Sequence, residues 1–271
     1  MGYYIKVEPD VKVYVEDLNE EGRNTIVFLH GWPGSHKLFE YQFNILPKMG
    51  YRCIGIDQRG FGESDKPYRG YDYDRLADDV RRVVEVLKLK SFTLLGHSTG
   101  GAIAIRYMSR YDNDKVSKLV LCAAAAPSLI QRSYFPHGLQ KQAVIDIIKG
   151  TYTDRPKMLQ DFGDIFFYKH ITESFSNWFF QLGLQAAGWA TAEVANTWLG
   201  EESLFSDLEK INVPTLILHG IHDQVCLFAL GEAQRQIIKN SRIIPFNDSG
   251  HGLFYDEKEK FNQELTKFIE Q

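Results

Sequence analysis

The stretch that most constrains this chain is Leu94-Leu95-Gly96-His97-Ser98-Thr99-Gly100-Gly101. An apolar run from Ser91 to Leu95 enters Gly96, and Ala102, Ile103, Ala104, Ile105, Arg106, Tyr107 and Met108 read as a helix. The order is strand, tight turn, helix. A G-x-S-x-G pattern at such a junction describes a nucleophile elbow: the turn holds Ser98 in a strained backbone geometry, lifts its hydroxyl clear of the sheet, and needs small neighbours so that strand and helix can approach. Alone the pattern is weakly specific, and a plain glycine-rich strand-to-helix turn competes with it. The flanking chain decides.

Val11 to Val15 alternates as a half-exposed strand does, and Thr25 to Leu29 suits a strand buried on both faces. The loop His30-Gly31-Trp32-Pro33-Gly34 follows, and then Leu38, Phe39, Gln42, Phe43 and Leu46 at helical spacing. Tyr51 to Asp57 reads as a strand, Gln58 to Pro67 as a loop. Leu76, Val80, Val83, Val84 and Leu87 mark a helix with Asp72 or Asp74 as its N-cap, and Val116 to Cys122 is a further buried strand. Strands alternating with single helices imply an α/β architecture, a parallel sheet with helices on both faces. The rhythm stops between Pro127 and about Ser206, where no strand pattern occurs and aromatics crowd in: Phe162, Phe166, Phe167, Tyr168, Phe175, Trp178, Phe179, Phe180, Trp189 and Trp198. We read 127–206 as a helical cap inserted into a core of 1–126 and 207–271. Most of these aromatics are expected simply to pack cap on core. The sheet resumes at Pro214 to His219. A helix near Leu227 to Ile238, a strand at Arg242 to Phe246 and a final helix bearing Phe261, Leu265, Phe268 and Ile269 complete the chain.

With 271 residues, 44% hydrophobic and 24% charged, the chain falls outside the disordered and collagen-like classes. Its net charge of -4 and lack of a Lys/Arg cluster argue against a nucleic-acid partner. Met1 to Lys6 lacks the segments of a signal peptide, and no apolar run approaches the length of a membrane span, so a cytoplasmic location is expected. Cys53 and Cys122 lie in or beside apolar strand-like runs and read as small buried hydrophobes, whereas Cys226 falls three residues after Asp223, near the candidate chemistry. No C-x-x-C pair and no His/Asp/Glu cluster with metal spacing occurs, so no metal is expected.

A serine hydroxyl needs a general base, itself oriented by an acid, and parallel sheets supply such groups from the carboxyl ends of strands. Three positions qualify: Ser98 after the elbow strand, Asp223 in Gly220-Ile221-His222-Asp223-Gln224, and His251 in Asp248-Ser249-Gly250-His251-Gly252. Their order, Ser then Asp then His, is the one expected for this architecture. Asp248 is an alternative acid three residues before His251, and Asp57 with Arg59 reads as loop structure. His30, His97 and His219 read as hydrogen-bonded scaffold, with His30 and His97 close to the loop of Trp32.

On these residues the sequence resembles the α/β-hydrolase superfamily, and within it the cofactor-free serine arylesterases and perhydrolases grouped with non-haem chloroperoxidases. The matching segments are Phe28 to Pro33, Tyr51 to Asp65, Gly96 to Gly101, Pro214 to Gly220 and Gly250 to Gly252. The resemblance implies a mostly parallel twisted sheet with an inserted helical cap. It implies Ser98 as nucleophile, His251 as base and Asp223 as orienting acid, with the backbone N–H groups of Trp32 and Thr99 as oxyanion hole. Pro33 restricts Trp32 towards an extended conformation and so bears on where its carbonyl points. In the resembling family, a loop that brings this carbonyl towards the acyl-enzyme accompanies the use of hydrogen peroxide in place of water. The expectation is an esterase for small carboxylic esters with perhydrolysis as a side activity. Candidate substrate contacts are Trp32, Pro33, Phe162, Phe166 and Trp189. Serine at 98 argues against haloalkane dehalogenases and epoxide hydrolases, which carry Asp at the elbow. A lactonase, other acyl chemistry on the same triad, or a hydrolase-fold sensor of a small ligand with weak catalysis stay open, as does homo-oligomerisation.

Overall fold

The computed structural model describes residues 1–200 and 204–271. Eight strands share a sheet: β1 (Gly2–Glu8), β2 (Val11–Leu18), β3 (Asn24–Leu29), β4 (Tyr51–Ile56), β5 (Phe92–His97), β6 (Val116–Cys122), β7 (Thr215–Gly220) and β8 (Ser241–Phe246). Their spatial order is β1-β2-β4-β3-β5-β6-β7-β8, antiparallel at β1 and β2 and parallel from β4 to β8. Helices cover both faces of the parallel part, so its strands are apolar throughout: all six residues of β5 are buried. β2 has one covered face only. It buries Val11, Val13 and Val15 and turns Lys12, Tyr14 and Glu16 outward.

The helices are α1 (Glu40–Phe43), α2 (Tyr73–Val86), α3 (Thr99–Arg110), α4 (Lys141–Thr153), α5 (Arg155–Asp164), α6 (Glu173–Gln185), α7 (Gly188–Gly200), α8 (Leu204–Glu209), α9 (Phe228–Ile237), α10 (Leu253–Asp256) and α11 (Lys258–Glu270). Asp72, not Asp74, caps α2: its carboxylate accepts the Arg75 N–H at 2.9 Å. Between β6 and β7 lie α4 to α8, with only isolated bridges, Ile130 to Leu139 and Arg132 to Phe135, among the described residues. α4 packs on α7, and α8 packs back on α3. Among the described residues no helix is long and apolar enough to cross a membrane.

Two elements differ from expectation. β1 was not anticipated; it alternates weakly and pairs as an edge strand with β2. The helical spacing from Leu38 to Leu46 is realised in pieces, a 3-10 turn at His36–Phe39, α1, and a second 3-10 turn at Leu46–Met49. Pro47 has no N–H to continue the i to i-4 ladder, so the helix cannot run through.

The passage from β5 to α3 places Ser98 at φ 54° and ψ -122°, outside the favoured regions for an L residue. Its carbonyl accepts N–H groups of Gly101 at 2.9 Å and Ala125 at 3.0 Å, and its own N–H donates to Cys122 at 3.0 Å, so the corner is stitched to the end of β6. The strand and helix meet through glycine: a Cβ on Gly96 would lie 2.4 Å from the Gly100 carbonyl oxygen, and one on Gly100 would lie 2.3 Å from that of Leu29. Both neighbours are backbone and cannot yield. Gly96→Ala or Gly100→Ala is therefore expected to cost about 3 kcal/mol of stability. Gly163→Ala in α5, whose Cβ would meet the Phe179 ring at an ordinary 3.6 Å, should instead gain about 0.5 to 1 kcal/mol. Urea denaturation checks the contrast; similar midpoints for all three variants would contradict it.

Candidate active site

Because β5, β7 and β8 run parallel, their carboxyl ends open on one rim, and the loops that follow carry Ser98, Asp223 and His251. The acid loop is closed by Asp223 itself: Oδ1 accepts the N–H groups of Val225 at 2.8 Å and Cys226 at 2.9 Å. This leaves Oδ2 for His251, whose Nδ1 lies 2.8 Å away with both side chains fully buried. Burial alone would raise the Asp223 carboxyl, but His251 and His219 beside it hold it well below the usual carboxylate range. An ionised Asp223 fixes the proton on Nδ1 of His251 and leaves Nε2 as a lone pair. Nε2 is buried and has no hydrogen-bond partner among the described residues. The Asp248 side chain points to solvent while its N–H donates to Glu257, so Asp223 is the acid joined to the histidine.

His97 joins the serine corner to the histidine loop. Its Nε2 donates to the His251 carbonyl at 3.1 Å, and the two rings lie 4.6 Å apart. Burial, followed by the neighbouring His251, pushes its pKa well below the ordinary histidine value, so it stays neutral. Ser98 is 5% exposed, and its hydroxyl lies 3.9 Å from the Cys226 sulfur. Burial pushes the Cys226 thiol well above its ordinary value, which keeps it protonated and a poor nucleophile.

The Trp32 loop, after β3, is built by neighbouring backbone and one histidine. His30 Nε2 accepts the Gln58 N–H at 3.0 Å, so its Nδ1 carries the proton and donates to the Gly31 carbonyl at 3.0 Å. Gly31 sits directly against the corner: a Cβ there would lie 2.5 Å from His97 Nδ1 and 2.9 Å from Ser98 Cβ. Among the described residues, neither the Trp32 nor the Thr99 amide N–H has an acceptor. The Trp32 indole donates to the Thr191 carbonyl at 3.1 Å, and the Trp32–Pro33 peptide is cis. His219 donates through Nε2 to the Cys226 carbonyl at 2.6 Å and so braces the acid loop.

Above Ser98 opens a cavity of about 460 Å³. Trp32, Ser98 and Val225 form its floor; Leu129, Leu139, Ile147, Met158, Phe162 and Trp198 form apolar walls, and Asp146 on α4, Asp154 between α4 and α5, and Lys157 and Asp161 on α5 stand at its mouth. The five candidate substrate contacts therefore separate. Trp32 and Phe162 line this cavity. Pro33 and Phe166 line a much smaller apolar void behind Trp32, with Leu38, Leu159 and Phe179. Trp189 is away from both: it is 37% exposed, packs on Tyr68, and its indole donates to the Pro67 carbonyl at 3.0 Å. Trp198, about two and a half turns further along α7 and so on its opposite face, takes the place in the wall that Trp189 does not. Asp57 and Arg59 have separate partners: Asp57 binds His36 at 2.8 Å and Arg59 binds Asp79 at 2.6 Å.

Residues 24–258 match the family model for the alpha/beta hydrolase fold. An AB hydrolase superfamily protein of Bacillus subtilis (strain 168) is 48% identical over 268 residues, 99% of this chain and 99% of its own. A bifunctional esterase/perhydrolase of Acinetobacter calcoaceticus is 33% identical over 275 residues, covering 98% of this chain and 99% of its own. Among solved structures, an esterase from Exiguobacterium antarcticum superposes with a TM-score of 0.97 at 44% identity and covers 100% of both chains. The extent of these matches and the sheet that carries the site lead to one assignment: the chain belongs to the α/β-hydrolase family.

Proposed function

We propose that the protein hydrolyses small carboxylic esters through an acyl-enzyme on Ser98, with His251 as general base, Asp223 as orienting acid and the N–H groups of Trp32 and Thr99 as oxyanion hole. The observation that carries this reading is the buried 2.8 Å bond from His251 Nδ1 to Asp223, which leaves an unpartnered Nε2 next to the serine corner. In the attack step the Ser98 hydroxyl leaves its contact with Cys226, adds to the ester carbonyl and gives its proton to Nε2. Negative charge on the former carbonyl oxygen is met by two amides that need no reorganisation. His251 then protonates the departing alcohol, and water, deprotonated by the same nitrogen, releases the acid. In this account residues 127–206 act as the cap over a core of 1–126 and 207–271.

Hydrogen peroxide in place of water would release a peracid. The named activity of the Acinetobacter calcoaceticus relative supports including perhydrolysis, and the Trp32 carbonyl, followed by Pro33, is the local group we assign to it. Pro33→Leu is expected to change the ratio of perhydrolysis to hydrolysis on acetate esters; an unchanged ratio would remove Pro33 from this role.

Ser98→Ala should lower turnover of p-nitrophenyl esters by at least about 10⁴-fold while leaving the unfolding transition in place. For the wild-type enzyme kcat/KM should rise with pH as the general base loses its proton, because it acts only when neutral, and Asp223, held ionised, adds no second limb. A flat profile would contradict His251 as base. Near-zero turnover with tight binding of an apolar ligand would favour a sensor instead.

The cavity also selects. Its volume falls within the roughly 300 to 1,000 Å³ of small-molecule sites, its walls are apolar, and three carboxylates against one ammonium leave the mouth at -2. Lys157 is already paired with Asp161 at 2.7 Å. Uncharged esters should therefore be preferred over esters bearing a free carboxylate by about three- to tenfold at low salt, with the gap closing as ionic strength rises. Paired kcat/KM measurements on a neutral and a carboxylate-terminated acyl chain check this, and a salt-independent ratio would contradict an electrostatic cause.

A further inference from the structure

The loop that carries His251 is held by two adjacent carboxylates with different reach. Glu257 accepts the Asp248 N–H at 3.0 Å and the Ser249 hydroxyl at 2.7 Å, so among the described residues it braces the loop from the core side. Asp256, the last residue of α10 and 5% exposed, accepts three backbone N–H groups: Gly250 at 2.9 Å and Tyr168 at 3.0 Å through Oδ2, and Lys169 at 3.2 Å through Oδ1. One of these precedes the histidine; the other two belong to the segment that leaves α5.

That segment touches His251 and the residue next to Asp223. The Gly252 N–H donates to the Phe166 carbonyl at 2.9 Å, and the Phe166 ring stands edge-on to His251 at 4.9 Å. Tyr168 stacks on His222, the neighbour of Asp223, with ring centres 3.8 Å apart. Immediately upstream, α5 supplies Met158, Asp161 and Phe162 to the cavity wall. The geometry points to Asp256 as a positioning residue that ties Phe166 to Lys169 onto the His251 loop, holding the general base and the α5 wall of the acyl pocket as one unit. This rests on the serine-hydrolase reading above. Asp256 touches no reacting atom; it acts through where the His251 ring and α5 sit.

The two carboxylates separate the possible roles. Asp256→Asn removes the charge and leaves one acceptor oxygen for three N–H groups, so its NH2 must face at least one of them and the tie between the two segments weakens, while Glu257→Gln loosens the loop alone. Across a chain-length series of p-nitrophenyl esters, Asp256→Asn is expected to lower kcat on the order of 10- to 100-fold and to shift the preferred acyl length. Glu257→Gln should lower kcat by one factor at every length, leaving the preference as in wild type. Hydrogen exchange supplies a readout independent of turnover: the Tyr168, Lys169 and Gly250 amides should exchange at least about tenfold faster in Asp256→Asn than in wild type. Wild-type kcat and preference in Asp256→Asn would overturn the proposal, as would an equal shift of preference in Glu257→Gln. Should Asp256→Asn not fold, Gly250→Ala keeps the carboxylate but puts a Cβ 3.0 Å from the Tyr168 nitrogen, and it must shift the preference or the proposal fails. A wild-type protein without esterase activity would defeat the functional reading, while amide exchange would still decide whether Asp256 ties the two segments.

Discussion

Everything in the site depends on one residue held where an ordinary backbone would not rest. Ser98, at φ 54° and ψ -122°, carries a conformational cost of about 1 to 3 kcal/mol, and the surrounding hydrogen bonds and packing have to overdetermine it. They do so from three directions: the Cys122 carbonyl receives its N–H, the Ala125 and Gly101 amides engage its carbonyl, and the backbones of Gly96 and Gly100 come too close to tolerate a side chain. The same bonds that enforce the bend tie it to β6 and to the start of α3. A relaxed corner would lose the placement of the Ser98 side chain at the cavity.

Burial gives the rest of the site its strength. Asp223 and His251 lie fully out of solvent, where a lone carboxylate would be driven to protonate; two amides and two imidazoles at its edge keep it charged instead. In return the imidazole is left with one tautomer and one orientation. His97 and His30, both buried and both with pKa values lowered by that burial, serve as neutral donors that place carbonyl groups, not as proton carriers.

The strands of the parallel sheet and the loops that carry Ser98, Asp223 and His251 were legible because periodicity reports burial, and a buried parallel strand ending in a glycine-rich loop leaves few alternatives. What periodicity cannot report is which partner a buried face meets. Trp189 and Trp198 are both aromatic, both on α7, and only the helix rotation decides that Trp198 faces the cavity while Trp189 packs outward on Tyr68. Pro33 and Phe166 fall behind Trp32 for the same reason. Asp256 and Glu257 look like ordinary first-turn acids before α11; their engagement with the histidine loop depends on a return of the chain from α5 that no local spacing encodes. β1 escaped notice because an edge strand half open to water alternates weakly.

The central claim is that Ser98 alone among the serines of this chain is made nucleophilic by its surroundings. Mass mapping after reaction with a small organophosphate, such as diethyl p-nitrophenyl phosphate, tests it directly. The account predicts a single adduct per chain on the peptide containing Ser98, formed in step with loss of esterase activity. An adduct on any other residue, or full inactivation with Ser98 unmodified, would contradict it.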